Sequence, residues 1–185
     1  MINIERVCKI ARQRSKEHRE AITLISSRNL HGQAISILRQ ELDSMVRALF
    51  LLQITNLDER EHLVTQLLNG QKWRRLGANA QVTDKDMVEV ADNLNGWTKS
   101  VYKFGCAFIH LSTYHEYSDN DPFDSLPSSE VQDIKNHLNY YHGFSLTSEL
   151  KMNTLSPYIP MVFDKIAGNL ECYLTDLEEG VIREY

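Results

Sequence analysis

An all-α fold, an antiparallel bundle of five to seven helices, is predicted by three apolar stripes with helical spacing and by cap residues at their ends. Ile35, Leu38, Leu42, Met45, Leu49 and Leu52 form the first stripe. Met87, Val90, Leu94, Trp97, Val101, Phe104, Phe108 and Leu111 form the second, and Phe163, Ile166, Leu170, Tyr173 and Leu177 the third. Steps of three and four keep side chains on one face of a helix, and long seams of this kind favour near-antiparallel helix packing.

Each element follows from local signals. A first helix is expected over about residues 3–27, with its apolar positions Val7, Ile10, Ala11, Ile22 and Ile25 interrupted by the exposed run RQRSKEHRE. The second covers QAISILRQELDSMVRALFLLQI, 33–54, and is apolar all round in its last turns. Asn56 and Glu59 make a cap for a short helix that stops at Gly70, and Thr83 with Asp86 caps a long one over about 84–114. Loops are expected at 76–82 and 118–127. Ser129 and Gln132 suit the start of a helix ending near His142, with Gly143 beyond it. Residues 144–155 alternate in hydropathy, which allows a short strand or an irregular turn. Ser156 followed by Pro157 begins the last helix, and Gly180 closes it.

Composition narrows the class. A chain of 185 residues with 42% apolar and 24% charged residues suits a single folded domain spanning 1–185. Arg39, Asp43 and Arg47 interrupt the best apolar run, so no membrane span is expected. The start MINIERVCKIARQR lacks a signal peptide's apolar stretch, which makes the cytoplasm the expected location. Cys8, Cys106 and Cys172 are far apart and suggest neither disulfides nor a zinc site. The net charge of -5 provides no general pull toward nucleic acid. Residues 1–100 nevertheless carry 15 Lys and Arg against 12 Asp and Glu, and residues 101–185 carry 5 against 13. That polarity suits either an unevenly charged surface or the orientation of a partner or second copy.

Four constellations could carry chemistry. Arg39, Asp43 and Arg47 recur every four residues, and either an ion-pair ladder or a polar site at a helix or subunit interface accounts for them. Lys103 and His110 are seven residues apart, which places them within about 20° on one helical face, opposite the apolar stripe. His there is a candidate proton carrier and Lys a phosphate contact, against the plainer reading of an exposed surface. Lys72, Trp73, Arg74 and Arg75 interleave an aromatic with cations, and Lys9, Arg12, Lys16 and Arg19 form a basic stripe; both suit nucleic-acid contact or a solvated face. No metal is expected, since His110 and His115, like His137 and His142, are five apart. The acidic loop Asp119, Asp121 and Asp124 lacks the glycine and glutamate of a calcium loop, and no cofactor motif is present.

The segments SILRQELDSMVRALFLL, 36–52, and AFIHLS, 107–112, resemble the Arg-bearing and His-centred helices of a group of bacterial helical proteins similar to the HEPN superfamily. The resemblance covers about an eighth of the chain. It implies a small, often homodimeric bundle from a stress, toxin–antitoxin or phage-defence system, and in many members a metal-independent ribonuclease formed where two copies meet. Under it His110 is the proton-transfer residue, Arg39 and Asp43 the supporting polar pair, and RNA or an antitoxin-like protein a possible partner. The departure is Lys103, which stands where the family's nuclease motif has arginine and lacks its planar, bidentate fork.

Overall fold

The stripe from Ile35 to Leu52 becomes the axis of the fold. In the computed structural model, which describes residues 2–183, helix α2 (His31–Leu52) buries 14 of its 22 residues. Around it pack α1 (Ile2–Ser26), α4 (Asp84–Asn95), α5 (Thr98–Ile109) and α8 (Ile159–Glu178). A helix wrapped on several sides has no polar face to offer water, which is why its last turns are apolar all round. Helices α3 (Leu57–Leu68) and α6 (Ser128–His142) and the single turn α7 (Met152–Leu155) complete a helical bundle without a strand among the described residues. No described helix is long and apolar enough to cross a membrane.

Several predicted caps are in place. The Asn56 side chain accepts bonds from the backbone N–H of Asp58 at 2.9 Å and Glu59 at 3.1 Å, and Thr83 with Asp86 forms a reciprocal capping box. Gly143 and Gly180 both take positive φ beyond α6 and α8.

The long helix expected over 84–114 is instead two. Gly96 adopts φ of 72°, closes α4 with a 2.7 Å bond to the Asp92 carbonyl, and turns the chain. The Asp92 carboxylate then accepts from Thr98 Oγ1 at 3.1 Å and the Lys99 N–H at 3.0 Å, so it caps α5 from the preceding helix. Helix α5 ends at Ile109, where the Ser112 hydroxyl donates to the Ala107 carbonyl at 2.7 Å. Of the second stripe's members, Leu94 and Leu111 are therefore exposed.

Two other starts also differ. Pro127, with no side-chain cap, precedes α6 at Ser128, and Ser156–Tyr158 is a 3₁₀ turn that delays α8 to Ile159. The alternating stretch 144–155 is irregular and ends in α7, with Phe144, Leu150 and Met152 buried and Leu146 exposed.

The charge polarity finds partners inside the molecule. On α1, Arg12 pairs with Glu171 and Glu178 of α8, and Arg19 pairs with Asp164 of α8. Half of the basic stripe thus meets acids from the C-terminal half of the sequence. Beneath it, Cys8 is fully buried with its sulfur 3.7 Å from the Leu174 carbonyl, and burial, reinforced by Glu178, pushes the thiol up to about 11. Because the folded value is raised, this contribution to stability is whole below the unfolded value near 9 and is lost as pH rises through about 11. Urea unfolding at pH 8 and pH 10.5 is expected to show wild type losing roughly 2 kcal/mol more than Cys8→Ala over that interval. Parallel losses in the two proteins would contradict the assignment.

Candidate functional site around helix α5

Helix α5 carries Lys103 and leads to His110, and α2 brings Arg39 against it. Arg39 is 5% exposed. Its guanidinium carbon lies 4.3 Å from the centre of the Tyr102 ring, and one of its amino groups reaches Asp84 Oδ2 on α4 at 3.1 Å. The same aspartate receives Arg47 at 3.0 Å through Oδ1, while Arg47 bonds Asp43 at 3.0 Å and Arg14 of α1 stands 3.9 Å from Asp43. The sequence pattern of four-residue steps is therefore a ladder that joins α1, α2, α4 and α5, with Asp84 rather than Asp43 as the partner of Arg39. Burial alone would depress the Arg39 guanidinium. The Cys106 sulfur and the carboxylates of Asp43 and Asp84 outweigh it and hold the group above its usual value. Burial and the neighbouring Cys106 raise Tyr102 against the opposing pull of Arg39.

The close approach of α2 to α5 depends on Gly105. A Cβ at that position would lie 2.8 Å from the Cβ of Arg39 and 3.2 Å from its Cγ and Cδ. The first of these atoms is tied to the α2 backbone, so it cannot swing aside. Gly105→Ala gains helix propensity of about 1 kcal/mol yet must spread the two helices, which typically costs 1–3 kcal/mol. A net loss of about 1 kcal/mol in urea unfolding is expected, and a stabilised variant would show that the contact is soft.

Lys103 and His110 do not share a helical face. Lys103 is exposed on α5 and bonds Glu130 of α6 at 3.3 Å. His110 is the residue after the helix, with extended backbone at φ -108° and ψ 152°, and its carbonyl lies 3.2 Å from His115 Nε2. The seven-residue relation assumed a helix that Ser112 has already stopped. His110 is exposed between Ile109 at 43% and Leu111 at 99%, so this short run presents two apolar side chains and an imidazole outward.

The Trp73 cluster also changes character. Trp73 is 2% exposed, packed against Phe50 with ring centres 5.9 Å apart and beneath Arg47 at 5.3 Å. A base has no free ring face to stack on. Lys72, Arg74 and Arg75 remain exposed, although Arg74 bonds the Asn79 carbonyl at 3.0 Å and Arg75 lies 3.8 Å from Glu59.

No family model, curated protein or solved structure matches the chain. Its chemistry therefore rests on its own geometry. Two arrangements were not singled out in the sequence. Glu41 of α2 is wholly buried and receives the Ser15 hydroxyl and His18 Nδ1, the latter at 2.7 Å. Between α5 and α6 runs a polar cleft of about 450 Å³ lined by Lys99, Lys103, Glu130 and Asp133, and beside it lies an apolar cavity of about 90 Å³. The cleft and the cavity share Ser100, Phe104, Ile134 and His137. Among the described residues no three His, Cys, Asp or Glu side chains gather to hold a metal ion.

Proposed function

We propose that this chain is a HEPN-like protein of a bacterial stress, toxin–antitoxin or phage-defence system that acts by binding a partner rather than by cleaving RNA. The observation that carries this reading is the separation of the would-be catalytic groups within one chain. Lys103 is engaged by Glu130 across the α5–α6 cleft, and His110 stands beyond the end of α5. Arg39 is held by Asp84 and the Tyr102 ring. Phosphoryl transfer needs its proton carrier and its charge stabiliser at one reacting centre. The exposed Ile109–His110–Leu111 run supplies the partner surface instead.

A second reading is favoured by that same run. Two copies meeting at Leu111 would bring two imidazoles together and could assemble a metal-independent ribonuclease between them. RNA incubated with the protein in chelator is expected to remain intact, and His110→Ala to behave like wild type. Chelator-resistant cleavage that disappears in His110→Ala, together with a dimeric mass that Leu111→Asp reduces to monomer, would replace the binding reading with the enzymatic one.

A further inference from the structure

The apolar cavity lies between α2, α5, α6 and α8, with Leu38, Val101, Phe123, Leu138 and Val162 among its walls. Three basic side chains reach its lining, Lys165, His137 and His142, together with the Tyr141 phenol; no Asp or Glu lines it. Lys165 is the distinctive one. Its ammonium lies 3.7 Å from the centre of the Tyr141 ring and 5.5 Å from that of Trp97, and no carboxylate pairs with it among the described residues. The neighbouring polar cleft is different, since its lysines are already matched: Lys103 with Glu130, and Lys99 with Glu89 and Asp92.

We propose that this cavity binds a short-chain alkyl carboxylate, its tail among the apolar walls and its carboxylate on Lys165. The site has the usual composition of a small-ligand pocket, apolar walls with few polar groups that fix orientation. Its size sets the tail. About 90 Å³ is smaller than the roughly 150 Å³ that admits the six carbons of benzene, so a tail of about three or four carbons beyond the carboxylate fits and a long fatty acid does not. Its charge sets the head. A partly desolvated ammonium set against the Tyr141 and Trp97 rings, with the His142 imidazole near, gains more from a carboxylate than from a neutral hydroxyl. Burial also lowers the pKa of Lys165, as expected of a cation without a compensating anion, and a bound carboxylate would oppose that shift. Entry is simplest beneath α6, which fully buries Leu138 alone among its residues and so roofs the cavity with little anchoring. The proposal stands apart from the role of His110, which the cavity does not include.

Pentanoate is the probe, titrated into the full chain and followed by the indole resonance of Trp97, with 1-pentanol as the neutral isostere and acetate as the tail-less acid. Pentanoate is expected to bind with a dissociation constant of about a millimolar or tighter, and both controls about tenfold more weakly. Lys165→Met should bring pentanoate down to the level of pentanol. Ile134→Trp, which fills the cavity from the roof, should abolish binding; if that variant fails to fold, the Lys165→Met comparison still decides. Equal binding of pentanol and pentanoate, or pentanoate binding unchanged in Lys165→Met, would overturn the proposal. So would the absence of any Trp97 shift at several times that concentration.

Discussion

Arg60→Ala is expected to lower the unfolding free energy by about 3 kcal/mol, a large loss for a residue outside the apolar core. Arg60 lies on α3, is 1% exposed and has no carboxylate within pairing distance among the described residues. Its guanidinium instead donates to three backbone carbonyls, Ile54 at 3.0 Å, Val181 at 3.3 Å and Leu52 at 3.4 Å. Two of these lie at the C-terminal end of α2, where the helix leaves unpaired carbonyls and a partial negative charge. Burial still depresses the group's pKa, because three carbonyl dipoles do not fully replace water around a guanidinium.

Removing the side chain strands acceptors in a dry site at about 1 kcal/mol or more each, and opens a cavity beside them. The Leu52 carbonyl keeps one partner, the Arg183 N–H at 2.9 Å, which holds the total near 3 rather than higher. For a chain of this length that is a fall of about 6–12 °C in melting temperature. Arg60→Lys should fall between, since a single ammonium cannot span the same three oxygens. A change below about 0.5 kcal/mol in Arg60→Ala would mean that water replaces the guanidinium there and that the α2 terminus is not sealed by it.

Arg60 also marks where the sequence stops being legible. Its position gives no sign of burial, because the pattern LDEREHLVTQLL reads as an amphipathic surface helix and the carbonyls it seals come from segments 6 to 121 residues away. The apolar stripes were readable because helical periodicity is a local property, and the caps at Asn56 and Thr83 were readable for the same reason. The break at Gly96 was available in the Asn95–Gly96 pair, a turn signal that the uninterrupted three-and-four spacing outweighed. That spacing continued through Trp97 by coincidence of register between two helices.

The site was legible in part. Arg47 and Asp43 pair in the acid-first order that the sequence suggests, whereas the partner of Arg39 comes from α4 and depends on the turn at Gly96. His110 illustrates the cost of a one-turn error in a helix boundary. With α5 ended by the Ser112 hydroxyl, the imidazole leaves the face of Lys103 altogether. Trp73 shows the converse, since the KWRR motif says nothing of the neighbouring Phe50, which covers its ring. The lining of the cavity was beyond reach of any local pattern, as it draws on α2, α5, α6 and α8.

Glu41→Ala is expected to cost about 3 kcal/mol or more, for a reason opposite to that at Arg60. Glu41 is fully buried in the middle of α2, and its two oxygens are both used, one by the Ser15 hydroxyl and the other by His18 Nδ1 at 2.7 Å. Truncation leaves an imidazole that is only 9% exposed and a hydroxyl without their acceptor, next to a new hole in the α1–α2 contact. Glu41→Gln keeps the volume and an acceptor oxygen but brings an amide N–H₂ that needs partners of its own, so a smaller loss is expected. The decisive variant is the pair His18→Leu with Glu41→Leu. A buried polar pair replaced by apolar groups of similar size is often neutral or stabilising, whereas removal of one member alone is costly. The double variant should therefore recover most of the stability lost by either single change, with a coupling of about 1–3 kcal/mol in the cycle. Additive losses across the two positions in urea unfolding would show that Glu41 and His18 are buried independently and that their contact does not hold α1 against α2.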